Sequence, residues 1–98
     1  MIRVVIPFHL QTLAQTGANV DLEVPEPQTA RAVIQALEHK HPTLRGAIID
    51  HASGERRPKV RFFACQEDIS HDSMDKPLPR SVRDGSEPFL IVGAISGG

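Results

Sequence analysis

The 98-residue sequence contains no tryptophan and no tyrosine, and its only aromatic residues are four phenylalanines. Its single cysteine, Cys65, has no second cysteine with which to form a disulfide, so nothing in the sequence calls for an oxidising compartment. No apolar run is long enough to span a bilayer, and the apolar start of the chain, which Arg3 interrupts, does not resemble a signal peptide. We therefore expect a cytoplasmic protein that does not bind membranes.

An excess of charge of one sign is also missing. The 11 lysines and arginines nearly balance the 12 aspartates and glutamates, so the chain offers no basic field to nucleic acid. His39 and His41 would point to opposite sides of a helix, where they cannot share a metal ion. The sequence has no glycine-rich phosphate loop and no recognisable arrangement of nucleophile and base. We expect no metal site, no stably bound cofactor and no nucleic-acid partner.

The apolar residues that are present suffice for one small domain. Hydrophobic residues make up 40% of the chain and charged residues 23%, which is ordinary for a globular protein. A chain of this length buries roughly two thirds of its unfolded surface, which is enough for one core without disulfides or metals. The composition therefore predicts a single folded domain.

Two segments near the start of the chain have the two-residue apolar period of a strand. In IRVVIP at 2–7 and in NVDLEVP at 19–25, every second residue is apolar. Alternation of this kind is typical of strands with one buried face. We predict two strands that form a hairpin, joined by the connecting stretch FHLQTLAQTG.

The apolar period then lengthens to that of a helix. Thr29 is suited to cap a helix that Pro42 would end, and we predict this helix at about 29–41. One side of it is apolar and the other is polar. The residues expected on the buried side are Ala30, Val33, Ile34, Leu37 and His41, and those expected in solvent are Arg31, Gln35, Glu38 and Lys40.

The second half of the sequence contains two further strand patterns. KVRFFAC at 59–65 alternates, and PFLIVGAI at 88–95 is a strongly apolar final strand. The remaining segments are predicted as a turn or helical piece at 44–50, a loop at 51–58, a loop at 71–81 held by Leu78, and a tight turn at 83–85.

The predicted order of elements is strand, strand, helix, strand, strand. One helix of about three turns can cover one face of a small mixed sheet, which gives a two-layer α+β domain. Because the first and last strands are both strongly apolar, we expect them to pair side by side at the centre of the sheet, under the helix.

This order resembles that of the MoaD/ThiS group of small sulfur carrier proteins, which have the ubiquitin-like β-grasp fold. The matching segments are IRVVIP, TARAVIQALEHKHP, LRGAIID, KVRFFACQEDIS and LPRSVRDGSEPFLIVGAISGG, the last of which ends in Gly-Gly. The resemblance covers the whole chain and is greatest to the CysO-like branch. The chain departs from the family at Ala64-Cys65-Gln66, where members often carry Val-Asn-Gly.

The resemblance implies a β-grasp domain at 1–93 and a flexible tail at 94–98. It implies that an E1-like enzyme uses ATP to adenylate the carboxylate of Gly98, next to Gly97. A thiocarboxylate then forms and delivers sulfur on a second enzyme, a sulfur-accepting synthase. On this interpretation the chain is a protein cosubstrate and not an enzyme.

The chemistry of the tail residues suits that role. Gly97 and Gly98 have no Cβ, so they can enter a narrow channel and adopt backbone angles that other residues avoid. Ser96 is also small, and we expect it to contact the partner. The alternative is a disordered chain end without a function, which is common at termini.

The strand at 59–65 offers a second candidate contact. Alternation places Phe62 and Phe63 on opposite faces, so Phe63 is expected away from the helix, beside Arg61. We predict that Phe63 and Arg61 bind the partner, the alternative being that a loop or turn covers Phe63. Cys65 is closer in sequence to acidic residues than to Arg61, so a reactive thiol is not predicted.

Two other functions stay open at this point. A ubiquitin-like modifier would form the same adenylate but pass its glycine to a lysine amine. A non-catalytic interaction module would not use the tail at all. The pathway is open as well, because syntheses of cysteine, molybdopterin and thiamine use the same terminal group in the family.

Overall fold

The computed structural model describes residues 1–93, so Ser96, Gly97, Gly98 and the remainder of the predicted tail at 94–98 lie outside the described residues. A 3₁₀ turn at Pro42–Leu44 follows the main helix. The other elements are β1 (Ile2–Val5), α1 (Phe8–Ala14), β2 (Asn19–Leu22), α2 (Ala30–Lys40), β3 (Ile49–Asp50), β4 (Glu55–Arg56), β5 (Val60–Ala64), β6 (Glu67–Asp68), α3 (Arg80–Arg83) and β7 (Phe89–Gly93).

Five strands form the main sheet, in the spatial order β2-β1-β7-β5-β6. β1 and β7 are parallel neighbours, and the other neighbouring pairs of this sheet are antiparallel. The first and last strands therefore lie side by side, with β7 at the centre, as the sequence predicts. Strands β3 and β4 form a separate two-stranded sheet. The mixed sheet and its main helix confirm the predicted α+β architecture.

The inner face of the sheet and the apolar side of α2 share one core. Every second residue of β1, β2, β5 and β7 lies on that inner face, and all of these except the terminal Gly93 are at most 5% exposed. The rings of Phe62 and Phe89 meet there with their centroids 5.3 Å apart. Burial of apolar surface is the main force that holds such a domain together. The core residues of α2 are Ala30, Val33, Ile34 and Leu37.

The connection between β1 and β2 is not the plain stretch expected from the sequence, because it contains α1. Pro7 precedes the helix, and the side chain of Gln11 donates to the carbonyl of Ile6 at 3.0 Å. Leu10 is the only fully buried residue of α1, and Gln15, at a φ of 55°, ends it. One buried residue gives no helical period, which is why the sequence does not reveal this helix.

The main helix α2 matches its prediction in position and in its apolar side, except that His41, expected on the buried side, follows the helix and is only half-buried. The hydroxyl of Thr29 accepts from the N–H of Ala32 at 3.1 Å, so Thr29 is the expected N-cap. Glu38 is a correction, because it was expected in solvent but is buried. Both of its carboxylate oxygens accept from Nε2 of His51, at 3.1 and 3.2 Å. The helix is thereby fixed to the segment that links β3 and β4.

The second half of the chain has more regular structure than expected. Leu44 and Ile48 are buried as predicted, but the predicted loop at 51–58 contains β4, which pairs with β3. Leu78 is buried and holds the loop at 71–81, as predicted. Two-residue strands carry too little alternation to be recognised from sequence.

The predicted turn at 83–85 is partly helical, since Arg83 is the last residue of α3. Asp84 follows the helix, and its carboxylate accepts from the N–H of Ser86 at 2.8 Å. Gly85 has a φ of 87°, and a Cβ at this position would lie 2.8 Å from the backbone oxygen of Met1. The turn therefore requires glycine at this position for two separate reasons.

Candidate functional site

The outer face of the sheet, opposite α2, carries the side chains predicted to bind a partner. Along β5, Phe62 is 1% exposed whereas Arg61 is exposed and Phe63 is half-buried. Phe63 and Arg61 therefore lie on the same face, away from the core, as alternation predicts. Their role in binding stays a prediction.

Phe63 is part of a row of apolar side chains that crosses three strands. In the pairing register, Phe63 lies opposite Leu90 of β7, and Leu90 lies beside Val5 of β1. All three are half-buried, and Val92, two residues further along β7, is 42% exposed. We refer to Val5, Phe63, Leu90 and Val92 as the outer-face patch. Phe63 is thus half-buried beside its cross-strand neighbours on the outer face.

Arg61 stands at one side of this patch, opposite Val92 in the register. Its guanidinium lies 3.4 Å from a carboxylate oxygen of Asp68 on β6, and both side chains are largely exposed to solvent. Hydrogen bonds from Ser70 hold the pKa of Asp68 below its usual value, with a smaller contribution from the positive charge of Arg61. Asp68 is thus kept ionised, and it orients Arg61 at the border of the patch.

The hairpin between β5 and β6 has an unusual turn. Cys65 and Gln66 form a two-residue connection, and both have positive φ, 52° and 67°. Such turns favour Asn-Gly, which is the pair that the resembled family often carries here. The Cys65 thiol is exposed, and its Sγ lies 3.0 Å from the hydroxyl oxygen of Ser81.

The last described residue, Gly93, is at the carboxyl end of the central strand. It pairs with Val60 across β5, and a Cβ at this position would lie 2.5 Å from Cε1 of His9 in α1. The helix α1 therefore borders the last described residue of the central strand. Sequence reasoning did not find His9, because its proximity to Gly93 depends on a helix that the apolar pattern does not reveal.

The described residues contain neither a candidate metal site nor a membrane-spanning helix. Among residues 1–93, no three histidine, cysteine or acidic side chains lie close enough together to hold a metal ion. None of the helices in this part of the chain combines the length and apolar character needed to traverse a bilayer.

A mixed sheet with parallel central strands, covered on one face by a single main helix, defines the ubiquitin-like β-grasp class. Among solved structures, a chain of the BexX/CysO complex of Amycolatopsis orientalis is similar to this one, with a TM-score of 0.78 at 16% identity and full coverage of both chains. SAMP1 from Haloferax volcanii is similar with a TM-score of 0.76 at 18% identity, covering 98% of this chain and 97% of its own.

Small archaeal modifier protein 1 from Methanosarcina acetivorans is also similar, with a TM-score of 0.73 at 20% identity, covering 98% of this chain and 94% of its own. No family model and no curated protein matches the sequence. At these identities the structural likeness establishes the fold, and it confirms the β-grasp resemblance that the sequence suggested.

Proposed function

We propose that this chain is a cytoplasmic sulfur carrier whose Gly98 carboxylate is activated by an E1-like enzyme and converted to a thiocarboxylate. The observation that supports this most is the course of β7. This central strand contributes Leu90 and Val92 to the outer-face patch and continues to Gly93. Five residues ending in Gly-Gly follow it in the sequence. The proposed partner surface thus lies on the strand that immediately precedes the proposed reactive end in the sequence.

The free carboxylate of Gly98 is a poor electrophile, because a nucleophile that attacked its carbon would have to expel oxide. It must therefore be activated first. A carboxylate oxygen of Gly98 attacks the α-phosphorus of ATP held by the partner, and pyrophosphate leaves. A hydrosulfide equivalent from a sulfur donor then attacks the acyl carbon, and AMP leaves with the bonding electrons. The product is a terminal thiocarboxylate, which a sulfur-accepting synthase uses. The chain needs no stably bound cofactor for these steps.

The outer-face patch would supply the affinity that a short tail lacks. A tail that becomes ordered in a channel loses conformational entropy, so the folded body must hold the partner. Phe63 offers an apolar anchor, and Arg61 offers a charge whose direction is set by Asp68. Ser96 and Gly97 are small enough to enter the channel with Gly98. The CysO relative has been crystallised with a second protein, BexX, which supports a partner-dependent role.

The intact mass of the protein tests the proposal. After incubation with an E1-like enzyme from the same genome, ATP and a sulfur donor, one terminal oxygen should be replaced by sulfur. Deletion of Gly98 should abolish the exchange, and so should the addition of one residue after it. The matched control is Gly17→Ala, since no atom lies within 4 Å of a Cβ placed at this exposed glycine. Unchanged mass in every reaction with a genomic E1-like enzyme would refute the proposal.

A second candidate is a ubiquitin-like modifier that forms an isopeptide bond with lysine. It is favoured by three of the similar structures, which are small archaeal modifier protein 1 (SAMP1) from Haloferax volcanii and Methanosarcina acetivorans. The two functions share the adenylate and differ in the nucleophile that displaces AMP. Conjugates of higher mass, linked from Gly98 to lysine amines, would establish the modifier, whereas the thiocarboxylate alone would establish the carrier.

A further inference from the structure

We propose that the free edge of β2, together with the groove between β2 and α2, binds an extended peptide segment of another protein as an added strand. The groove has a volume of about 500 Å³. It lies at the opposite edge of the sheet from β6, away from the Phe63 side of the outer-face patch. This binding function goes beyond sulfur transfer and does not depend on the tail. The lining residues used below are Met1, Leu22, Pro25, Ala32, Ala36 and Lys40.

The backbone of β2 has hydrogen-bonding groups that face away from the sheet. In an antiparallel pair, residues whose N–H and C=O groups face the partner alternate with residues whose groups face outward. Ile6 donates to the carbonyl of Ala18 at 2.9 Å, which sets the parity of the ladder between β1 and β2. Asn19 and Asp21 therefore direct their backbone groups outward. The Lys40 ammonium confirms this direction, because it donates to the Asp21 carbonyl at 3.1 Å.

The groove beside this edge has an apolar floor with room above it. Leu22 is buried at its base, and Ala32 and Ala36 of α2 are half-buried with short side chains. Met1, which is 68% exposed, and Pro25 flank them. An added strand would direct every second side chain toward α2. Aliphatic side chains at those positions would cover this surface, which is the usual source of specificity in strand addition.

The charges around the groove define the remaining positions of the peptide. Within residues 1–93, Lys40 forms no ion pair with a carboxylate, so an acidic residue of the peptide would satisfy it. On the other face of the edge, Asp21 and Glu23 are exposed. Basic side chains directly opposite these carboxylates would be favourable cross-strand neighbours. The structure therefore fits a segment that alternates aliphatic and basic residues and carries an acid within reach of Lys40.

The same charges argue against a second copy of this chain as the occupant. Residues 19–25 contain two acidic and no basic side chains. Antiparallel pairing of two such edges would bring the carboxylates of Asp21 and Glu23 close to their copies, which is destabilising. A foreign peptide with the complementary charges avoids this repulsion. On binding, it replaces the exposed hydrogen bond of Lys40 with a backbone bond to Asp21, at little net cost.

The experiment is a titration of the ¹⁵N-labelled protein with a capped peptide of alternating valine and lysine that ends in aspartate. Amide shifts should concentrate at residues 19–25 and 32–40, and the amides of Asn19 and Asp21 should exchange more slowly with water. Ala36→Glu places a carboxylate over the apolar floor and should weaken binding at least about tenfold. Thr12→Glu, on an exposed position of α1, is the matched control and should bind as the wild type does.

Thermal unfolding of both variants should remain cooperative, so that a loss of binding is not a loss of fold. Equal affinity for the Ala36→Glu variant, or shifts confined to the outer-face patch, would overturn the proposal. So would the absence of saturation for this peptide and for versions with leucine or isoleucine in place of valine. Shifts that depend on protein concentration without peptide, together with a dimeric mass, would assign the edge to a second copy instead. None of these outcomes depends on thiocarboxylate formation.

Discussion

The two faces of the main sheet differ in how completely they are covered, although the same strands build both. On the inner face, Phe62 and Ile91 are almost fully buried in the core that the sheet shares with α2. On the outer face, their sequence neighbours Phe63 and Leu90 are only half-buried, and Val92 is 42% exposed. Each strand therefore contributes one residue to stability and the next to a surface that stays open to a partner.

The difference shows how a domain of this size can carry a binding surface. One main helix is enough to cover one face of five strands, so the other face must be compatible with water. Half-burial by cross-strand neighbours allows Val5, Phe63 and Leu90 to remain there, since each shields part of the next. A partner would add to this burial without any change in the core. Substitutions on the two faces should then have separable effects.

The largest expected effect comes from Phe62→Ala, compared with Phe63→Ala. Removal of the buried Phe62 ring, which packs on Phe89, should lower the free energy of unfolding by about 3–5 kcal/mol. The Phe63 variant should lose about 1 kcal/mol, because its ring is already half in solvent. On the proposed function, Phe63→Ala should instead raise the KM for the activating enzyme about tenfold. Chemical denaturation and adenylation kinetics measure the two effects.

If Phe62→Ala does not fold, the milder variant Phe62→Leu can be compared with Phe63→Ala in its place. Phe62→Leu should cost about 1 kcal/mol and leave the KM unchanged. Equal stability losses at the two positions would mean that the faces are not divided as described. An unchanged KM for Phe63→Ala would remove the outer-face patch from the partner interface.

The inner face could be predicted from the sequence because its residues repeat with a clear period. The apolar positions of α2 follow the helical period, and those of β1 and β5 alternate, so burial follows from position alone. The pairing of β1 with β7 also followed, since two strongly apolar strands belong at the centre of a sheet. The placement of Phe63 on the outer face required only the same alternation.

The remaining features depend on contacts between distant residues. The burial of Glu38 follows from His51, 13 positions later, which a helical pattern cannot reveal. In α1, Phe8 is 79% exposed and Leu13 is 46% exposed, so its apolar residues do not mark a buried side. The contribution of Leu90 and Val5 to the patch depends on strand register, which alternation alone does not determine.

A smaller effect is expected at the turn that joins β5 to β6, which belongs to neither face. Gln66 has a φ of 67°, a conformation that costs a residue with a side chain roughly 1–2 kcal/mol. Gln66→Gly should therefore stabilise the protein by about 0.5–1 kcal/mol after the added entropy of glycine in the unfolded chain. Gln66→Ala, which keeps a Cβ, should stay within about 0.5 kcal/mol of the wild type. Denaturant titration distinguishes the two variants.

Gln66→Gly is a useful reference for the two faces of the sheet, because it changes stability without altering Phe62 or Phe63. The KM for the activating enzyme should not move in Gln66→Gly. If the variant were destabilised, the positive φ of Gln66 would not be a source of strain, and the account of this turn would be wrong.

The smallest expected effect is a change in stability with pH that arises from ionisation of Asp68. Ser70 connects Asp68 to Phe62, a residue of the inner face, through hydrogen bonds. The Ser70 hydroxyl accepts from the buried N–H of Phe62 at 2.9 Å, and the Ser70 N–H donates to Asp68 at 2.8 Å. Hydrogen bonds from the Ser70 side chain and from its backbone N–H lower the folded pKa of Asp68 below its usual 3.8, so the ionised form favours the fold. The contribution is complete above the unfolded pKa and is lost as the pH falls through the folded one.

Asp68→Asn should therefore have a lower melting temperature than the wild type at pH 7, and the two should converge as the pH falls below the folded pKa of Asp68. Because the hydrogen bonds from Ser70 outweigh the charge of Arg61, added salt should leave most of the difference at pH 7 in place. Arg61→Gln is the control that removes the charge alone, and its melting temperature should change less than that of Asp68→Asn. If salt abolished the difference at pH 7, the ion pair on the outer face, and not the link through Ser70 to the inner strand, would be what stabilises Asp68.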